Sequence, residues 1–444
     1  MAISPARATA FEILSRVERE QSYATELLHS ALTVELSRAD HGLATEIVMG
    51  VLRWRSLLDT HLATASSLKL ERLDLDVLIA LRVGAYQLLF LSRIPARATI
   101  FESVELAKAA RKRSAAPFVN AVLRQISKVQ LVDPIAAILQ VNDAEALAAA
   151  SSHPSWLVKR WIERYGLPAA RAICQYDQSL PSTSIRVRDT QTVKEIGDAG
   201  IEIAPGKLLT SARRVTLGDV TKTAAYQEGR VSIQDEGSQL VALLMGKAER
   251  ILDCCAAPGG KTSLIAERNS NSLLVATEIH PHRARLLQRL ARQPNVRVVA
   301  ADARNLPLPA GFDRILADVP CSGTGTLARN PEIKWRLKAD DFRELPSRQA
   351  AILRSALSVL RPGGRLVYST CSLEREENEE VVEMAVAGGT HLKMVDCREE
   401  LNVLQRSAEL AVPTGSLASR RYLQTLPGVH PCDGFFAAMI ERVM

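Results

Sequence analysis

The sequence predicts an α/β protein: a doubly wound, mostly parallel sheet at the C-terminal end, preceded by a small α+β subdomain and an all-α N-terminal domain. Three observations carry this. Up to about residue 130 the apolar residues repeat with a helical period, and nothing alternates as a strand would. After Arg250, short apolar runs alternate with helical or loop material, the rhythm of βα units. The chain has 444 residues, 47% of them apolar, which is too long for one ordinary domain and ample for real cores.

The N-terminal domain, residues 1–130, is built from stripes. Ala10, Ile13, Leu14 and Val17 form the first, Leu43, Ile47, Val51 and Trp54 the second, and Leu78, Leu81, Ala85 and Leu88 the third. Thr99 and Glu102 have the spacing of a capping box for a helix running to Lys112. Pro117 then stands near the start of another, with Phe118, Val122 and Ile126 on one side. Residues 131–150 are Ala-rich and are expected to be a linker. In residues 151–240, Ser155–Tyr165 reads as a helix, Thr183–Arg188 as a strand and Val193–Ala199 as a short helix, the small α+β subdomain. Residues 241–444 hold the doubly wound domain, with strands at Arg250–Asp253, Leu273–Glu278, Val296–Asp302, Phe312–Asp318 and Arg365–Thr370. No internal repeat appears.

Composition excludes several classes. No apolar run is long enough for a membrane span, and charges recur from Arg7 through Glu20 where a signal peptide would be apolar, so a cytoplasmic location is expected. The seven cysteines are odd in number and contain no C-x-x-C pair, which suggests neither a disulfide framework nor a zinc site. His280 and His282 lack a surrounding ligand pattern, so no metal is expected. The net charge is +7, and its placement matters more than its size. Arg93, Arg97, Lys108, Arg111, Lys112, Arg113, Arg124 and Lys128 face only Glu102 and Glu105 in the same stretch. Such a basic face suits a polyanion such as nucleic acid.

Four of the predicted strands end in a carboxylate: Asp253, Glu278, Asp302 and Asp318. Ligands of open α/β sheets sit at the carboxyl ends of the strands, so these acids should converge on one crevice. After the first strand comes Cys255-Ala256-Ala257-Pro258-Gly259-Gly260-Lys261-Thr262, whose small residues let a ligand approach the backbone and whose helix start offers free N–H groups. The tail Gly260-Lys261-Thr262 ends like a P-loop, but that motif needs Gly where Cys255 stands. The G-x-G-x-x-G of dinucleotide sites is absent as well. Glu278, 19 residues beyond Gly259, is placed to accept ribose hydroxyls, and Asp302 to meet an adenine amino group. A ribose and an adenine without phosphates fit S-adenosylmethionine, whose sulfonium also favours nearby carboxylates.

Two cysteines occupy neighbouring strand ends. Cys321 lies in Asp318-Val-Pro-Cys-Ser-Gly-Thr-Gly325, and Cys371 in Tyr368-Ser-Thr-Cys-Ser372, read as just preceding a helix at Glu374–Val386. A thiol beside a helix N-terminus has a lowered pKa.

Taken together, APGGKT, DVPCSGTG and STCS resemble, in order and spacing, the signature motifs of the RNA cytosine-5 methyltransferase family. The resemblance covers about residues 151–444 and includes Val231–Gln239 and Asp433-Gly-Phe-Phe436. The helical N-terminus resembles the NusB-like domain of that family's bacterial 16S ribosomal RNA branch. A Rossmann-like, S-adenosylmethionine-dependent methyltransferase sheet is thereby implied. The implied reaction begins with Cys371 adding to carbon 6 of cytosine, which makes carbon 5 nucleophilic. Asp318 would bond N3 and supply a proton there, and Cys321 would assist release of Cys371. Residues 255–261, Glu278, Asp302 and Asp318 would hold the cofactor. The implied partner is 16S ribosomal RNA with a single-stranded or flipped cytosine, bound by a monomer without a membrane. Arg329, Lys334, Trp335 and Arg336 are expected to contact RNA backbone or bases. A transfer RNA substrate, or a non-catalytic RNA-binding or antitermination factor, are the alternatives. A cysteine hydrolase would need a His near Cys321 or Cys371, and the sequence places none there.

Overall fold

Backbone contacts in the computed structural model, which describes residues 3–387 and 391–443, divide the chain into two units: residues 1–180 with 327–336, and residues 181–326 with 337–444.

The first unit is helical. Its centre is the helix Leu75–Phe90, which touches the helices Pro5–Glu20, Arg38–Arg53, Arg55–Ala65, Ala96–Ala109 and Ala116–Ile126. The first two stripes face the core, with Ala10, Ile13, Leu14, Val17, Ile47, Val51 and Trp54 buried and Leu43 half-buried near the start of its helix. The third differs. Residues Val77 and Ile79–Gln87 are buried on every side of the central helix, whereas Leu78 and Leu88 are only half-buried. A helix apolar all round belongs inside a bundle, and no single stripe describes it. Gly84 allows that packing, since a Cβ there would meet Leu123 Cδ1 at 2.6 Å.

The capping box does not form. The helix starts at Ala96 after Pro95, so Thr99 is already helical and buried. Glu102 instead accepts the Ser4 N–H at 2.8 Å and pairs with Arg7 at 2.9 Å. The expected linker is also ordered: Asp133 and Asp143 each cap a seven-residue helix, Pro134–Gln140 and Ala144–Ala150. The helix Ser155–Gln178, read with the small subdomain, groups with this first unit.

Residues 327–336 belong to the same unit, and Lys334, Trp335 and Arg336, expected to contact RNA, bind backbone carbonyls of this unit instead. Lys334 Nζ donates to Arg53 O at 3.0 Å and Trp335 Nε1 to Leu52 O at 2.6 Å. These are the last carbonyls of the helix Arg38–Arg53, which have no partner within the helix. Arg336 donates to Gln21 O at 2.7 Å and Val17 O at 3.1 Å. Burial pushes Lys334 down to about 7.

The second unit holds two sheets. The smaller contains β1 (Thr183–Val187), β2 (Glu202–Pro205), β3 (Ala212–Leu217) and β4 (Val231–Ile233), antiparallel in the order β2-β3-β1-β4. Ile185, Ile196, Ile201, Val220, Ala225 and Val231 form its core. The larger begins with five parallel strands: β5 (Arg250–Asp253), β6 (Leu273–Glu278), β7 (Val296–Ala300), β8 (Phe312–Asp318) and β9 (Leu360–Thr370). Their spatial order is β7-β6-β5-β8-β9, so the winding reverses between β5 and β8. Such a switch point opens a crevice at the carboxyl ends of the strands. Beyond β9 lies an antiparallel extension that the sequence pattern did not reveal: β10 (Leu392–Val395), β11 (Ala418–Ser419), β12 (Tyr422–Thr425) and β13 (Phe435–Arg442). β13 pairs with β9, β10 and β12. Val275, Ile315, Leu353, Leu366 and Phe436 fill one face, and Ile251, Ile265, Leu316, Val367 and Met439 the other. Among the described residues no helix is long and apolar enough to cross a membrane.

Candidate active site

Parallel pairing gathers the strand ends on one edge of the sheet, with β6 and β8 each running two residues beyond the end of β5. Asp253 of β5 lies opposite Ala276 of β6 and Leu316 of β8, and Asp318 lies opposite Ser369 of β9. Asp253, Glu278 and Asp318 thus end their strands as expected. Asp302 does not: β7 stops at Ala300, and Asp302 caps the following turn by accepting the Arg304 N–H at 2.9 Å.

The loop Cys255–Lys261 follows β5 and leads into the helix Gly260–Arg268. Gly259 has φ +117°, and a Cβ there would lie 2.8 Å from Leu287 Cδ1, so glycine meets two demands at this position. Ala256 is buried, Ala257 and Gly260 are half-buried, and Pro258 is exposed. Burial, with the charges of Asp253 and Asp318, pushes the Cys255 thiol far up, so it stays neutral. Thr262 Oγ1 donates to Asp253 Oδ2 at 2.7 Å. Asp253 Oδ1 has no hydrogen-bond partner among the described residues. Burial raises Asp253 to about 7; the Thr262 bond opposes this and the charge of Asp318 adds to it.

Lys261 Nζ lies 2.8 Å from Asp318 Oδ2 and 5.2 Å from the Phe435 ring centroid. Burial disfavours its charge, but the charge and hydrogen bond of Asp318, with the nearby Cys371, outweigh burial and hold Lys261 above its ordinary value. Ser369 Oγ donates to Asp318 Oδ1 at 2.6 Å, so each oxygen of Asp318 has a donor. Glu278 is buried and accepts the His280 N–H on Oε1 at 3.0 Å. Asp302 is bound by Arg304 Nε at 2.9 Å and Nη2 at 2.6 Å, and this hydrogen bonding is what lowers its pKa.

The two cysteines meet: Cys321 Sγ and Cys371 Sγ are 3.4 Å apart. Hydrogen bonding to Cys371 is the largest cause of a strongly raised Cys321 pKa, followed by burial. Cys321 therefore keeps its proton and can donate it to Cys371. The expected helix beside Cys371 is displaced. A 3-10 turn at Arg375–Glu377 intervenes and the helix is Glu379–Ala387, so the N-terminus of that helix does not abut the thiol. Backbones lock the two loops instead: the Gly325 N–H donates to Cys371 O and the Gly434 N–H to Gly325 O, both at 2.8 Å.

Sequence reasoning missed Ser369, Phe435, Gln349 and Glu377. Phe435 lay within a quoted motif, and Ser369 beside a quoted thiol. Glu377 stands in the charged run Glu374–Glu380, which reads as a solvated helix start, yet it is fully buried.

Known proteins are similar to this chain in sequence and in fold. Residues 240–441 match the family described as 16S rRNA methyltransferase RsmB/F, and residues 4–128 match the NusB family. The chain is 35% identical to the probable ribosomal RNA small subunit methyltransferase B of Bacillus subtilis, covering 98% of each protein. It is 33% identical to ribosomal RNA small subunit methyltransferase B of Salmonella paratyphi B, covering 96% of each. Among solved structures, PH0851 superposes with a TM-score of 0.81 at 23% identity over 100% of both chains. NSun6 from Pyrococcus horikoshii, solved with SFG, gives 0.56 at 20% identity over 66% of this chain and 98% of its own. These two likenesses show a shared fold. With relatives matched end to end above 30% identity, the chain belongs to the 16S rRNA methyltransferase RsmB/F family.

Proposed function

We propose that the protein methylates carbon 5 of a cytosine in 16S ribosomal RNA with S-adenosylmethionine, through a covalent bond from Cys371 Sγ to carbon 6. The observation that carries this is the pair of thiols 3.4 Å apart on the loops after β8 and β9, next to the switch point between β5 and β8. Bound S-adenosylmethionine supplies an electrophilic methyl group. The residues fit it: Glu278 can accept ribose hydroxyls, and the unpartnered, buried Asp253 Oδ1 can accept an ammonium donor. The Gly259–Gly260 turn leaves backbone N–H groups at a helix start. Asp302 can serve the adenine only with the lone pairs that Arg304 leaves.

The target cytosine leaves its stack to reach the strand ends. Cys371 Sγ bonds to carbon 6 and the ring's aromaticity is broken. Asp318 carries a proton to N3 as negative charge develops there, with Lys261 behind it as the donor. Once Sγ of Cys371 is bonded to carbon, its hydrogen bond to Cys321 is gone, and with it the main cause holding the Cys321 proton. Cys321 then gives its proton to solvent, and once carbon 5 carries the methyl group the Cys321 thiolate takes the proton from carbon 5. The electron pair closes the C5–C6 double bond, the C6–S bond breaks with its pair returning to Cys371 Sγ, and N3 gives its proton back to Asp318. The exposed Arg93, Arg97, Arg111, Arg113, Arg124 and Lys128 form the RNA-binding face of the helical unit; Lys108 and Lys112 are held by Glu105 and Asp74.

A paired substitution tests the reading. With 16S rRNA and radiolabelled cofactor, Cys371→Ser loses methylation, while Cys321→Ser methylates once and keeps RNA bound through a denaturing gel. Normal turnover by Cys371→Ser would refute it.

A further inference from the structure

Both thiols sit on loops, and the backbone bond from Gly325 N–H to Cys371 O joins those loops on one side only of the sulfurs' immediate neighbours. Beneath these loops lies one fully buried carboxylate, Glu377. Its Oε1 accepts the Ser322 N–H at 2.8 Å and Gln349 Nε2 at 2.8 Å. Its Oε2 accepts Ser372 Oγ at 2.5 Å and Ser322 Oγ. Ser322 follows Cys321 and Ser372 follows Cys371, so a single carboxylate grips the residue next to each thiol. The grip is itself anchored. Tyr368 OH donates to Glu377 O at 2.6 Å, and Gln349 Nε2 also reaches Pro320 O at 3.0 Å, one residue before Cys321. Bonds to a buried carboxylate are short and strong, and a buried charge without its donors would be costly.

We propose that Glu377 is a positioning residue that sets the register of the Cys321 loop against the Cys371 loop. It touches neither the cofactor nor the base; it acts through Ser322 and Ser372. The 3-10 turn Arg375–Glu377 has a role in this picture, because it folds the chain back under the loops before the helix begins. This inference rests on the methyltransferase reading for its consequence in catalysis, but not for its geometry.

The test therefore has one readout independent of RNA. Diamide takes the two thiol hydrogens as Cys321 and Cys371 join in a disulfide, and peptide mass mapping follows the rate. In the full-length protein, Glu377→Gln should slow this cross-link about tenfold, since the amide cannot accept all four donors. It should lower kcat for RNA methylation about 10- to 100-fold, while KM for RNA and the Kd for S-adenosylmethionine stay within about twofold. A merely structural defect would weaken cofactor binding together with turnover. Cross-linking and kcat within about twofold of wild type would overturn the proposal. Should Glu377→Gln not fold, Ser372→Ala removes one donor and should slow cross-linking about threefold; an unchanged rate would overturn it equally. If wild-type protein methylates no RNA, the functional reading falls while the cross-linking rates still decide the role of Glu377.

Discussion

Replacing Asp253 by Asn should change how stability depends on pH. Asp253 is buried at the end of β5, and burial raises its pKa from 3.8 to about 7. Between those values the folded protein binds one more proton than the unfolded chain, so stability falls as pH rises. It is fully present below about pH 4 and the loss is complete above about pH 7. At about 1.4 kcal/mol per pH unit the total is on the order of 4 kcal/mol. For a unit of this size that corresponds to roughly 10 °C in the melting midpoint. Asn keeps the acceptor for Thr262 and cannot ionise. Melting curves of wild type and Asp253→Asn, recorded from pH 4 to 8, should diverge, with the variant gaining relative to wild type as pH rises. Curves that run parallel within about 2 °C would refute the assignment of a buried, neutral-leaning carboxyl. The variant should also bind S-adenosylmethionine more weakly if Asp253 Oδ1 receives its ammonium.

Other positions give equally direct expectations. Lys334 is held down to about 7 against 10.5 in the unfolded chain, so between those values the unfolded chain binds more protons and stability rises with pH; Lys334→Met should remove that rise in melts from pH 7 to 10. A Cβ on Gly325 would lie 2.3 Å from Gly434 O and 2.8 Å from Gly434 C and Cα, against backbone that cannot swing aside, so Gly325→Ala should destabilise by about 3 kcal/mol and abolish methylation, read by melting and activity together. Changing Arg111, Arg113 and Arg124 to Glu should weaken RNA binding and reduce the slope of log K against log salt by about 2, measured by filter binding, with cofactor affinity unchanged.

The parts of the site that were legible in the sequence are those fixed by local chain geometry. A parallel strand ending in an acid puts that acid at the crevice, which is why Asp253, Glu278 and Asp318 were visible and why both thiols could be placed on neighbouring ends. Asp302 was misplaced by two residues because the apolar run does not show where pairing stops. The hidden parts are those set by distant backbone. Lys334 and Trp335 read as RNA contacts because their partners, Arg53 O and Leu52 O, are carbonyls that no side-chain pattern announces. Glu377 was hidden for the complementary reason: its donors come from three separated segments, and a Glu in a charged run looks solvated. The central helix Leu75–Phe90 lost its expected stripe because neighbours surround it, a property of the bundle and not of its own period.

The central claim is that Cys371 forms the bond to RNA, and the most direct measurement is peptide mapping of the trapped complex. Cys321→Ser protein, incubated with 16S rRNA and S-adenosylmethionine, then digested with nuclease and protease, should yield one modified peptide. Its mass should include a methylated cytidine nucleotide, and fragmentation should place it on Cys371. A nucleotide on any other residue, or a methylated RNA product with no adduct at Cys371, would contradict the account.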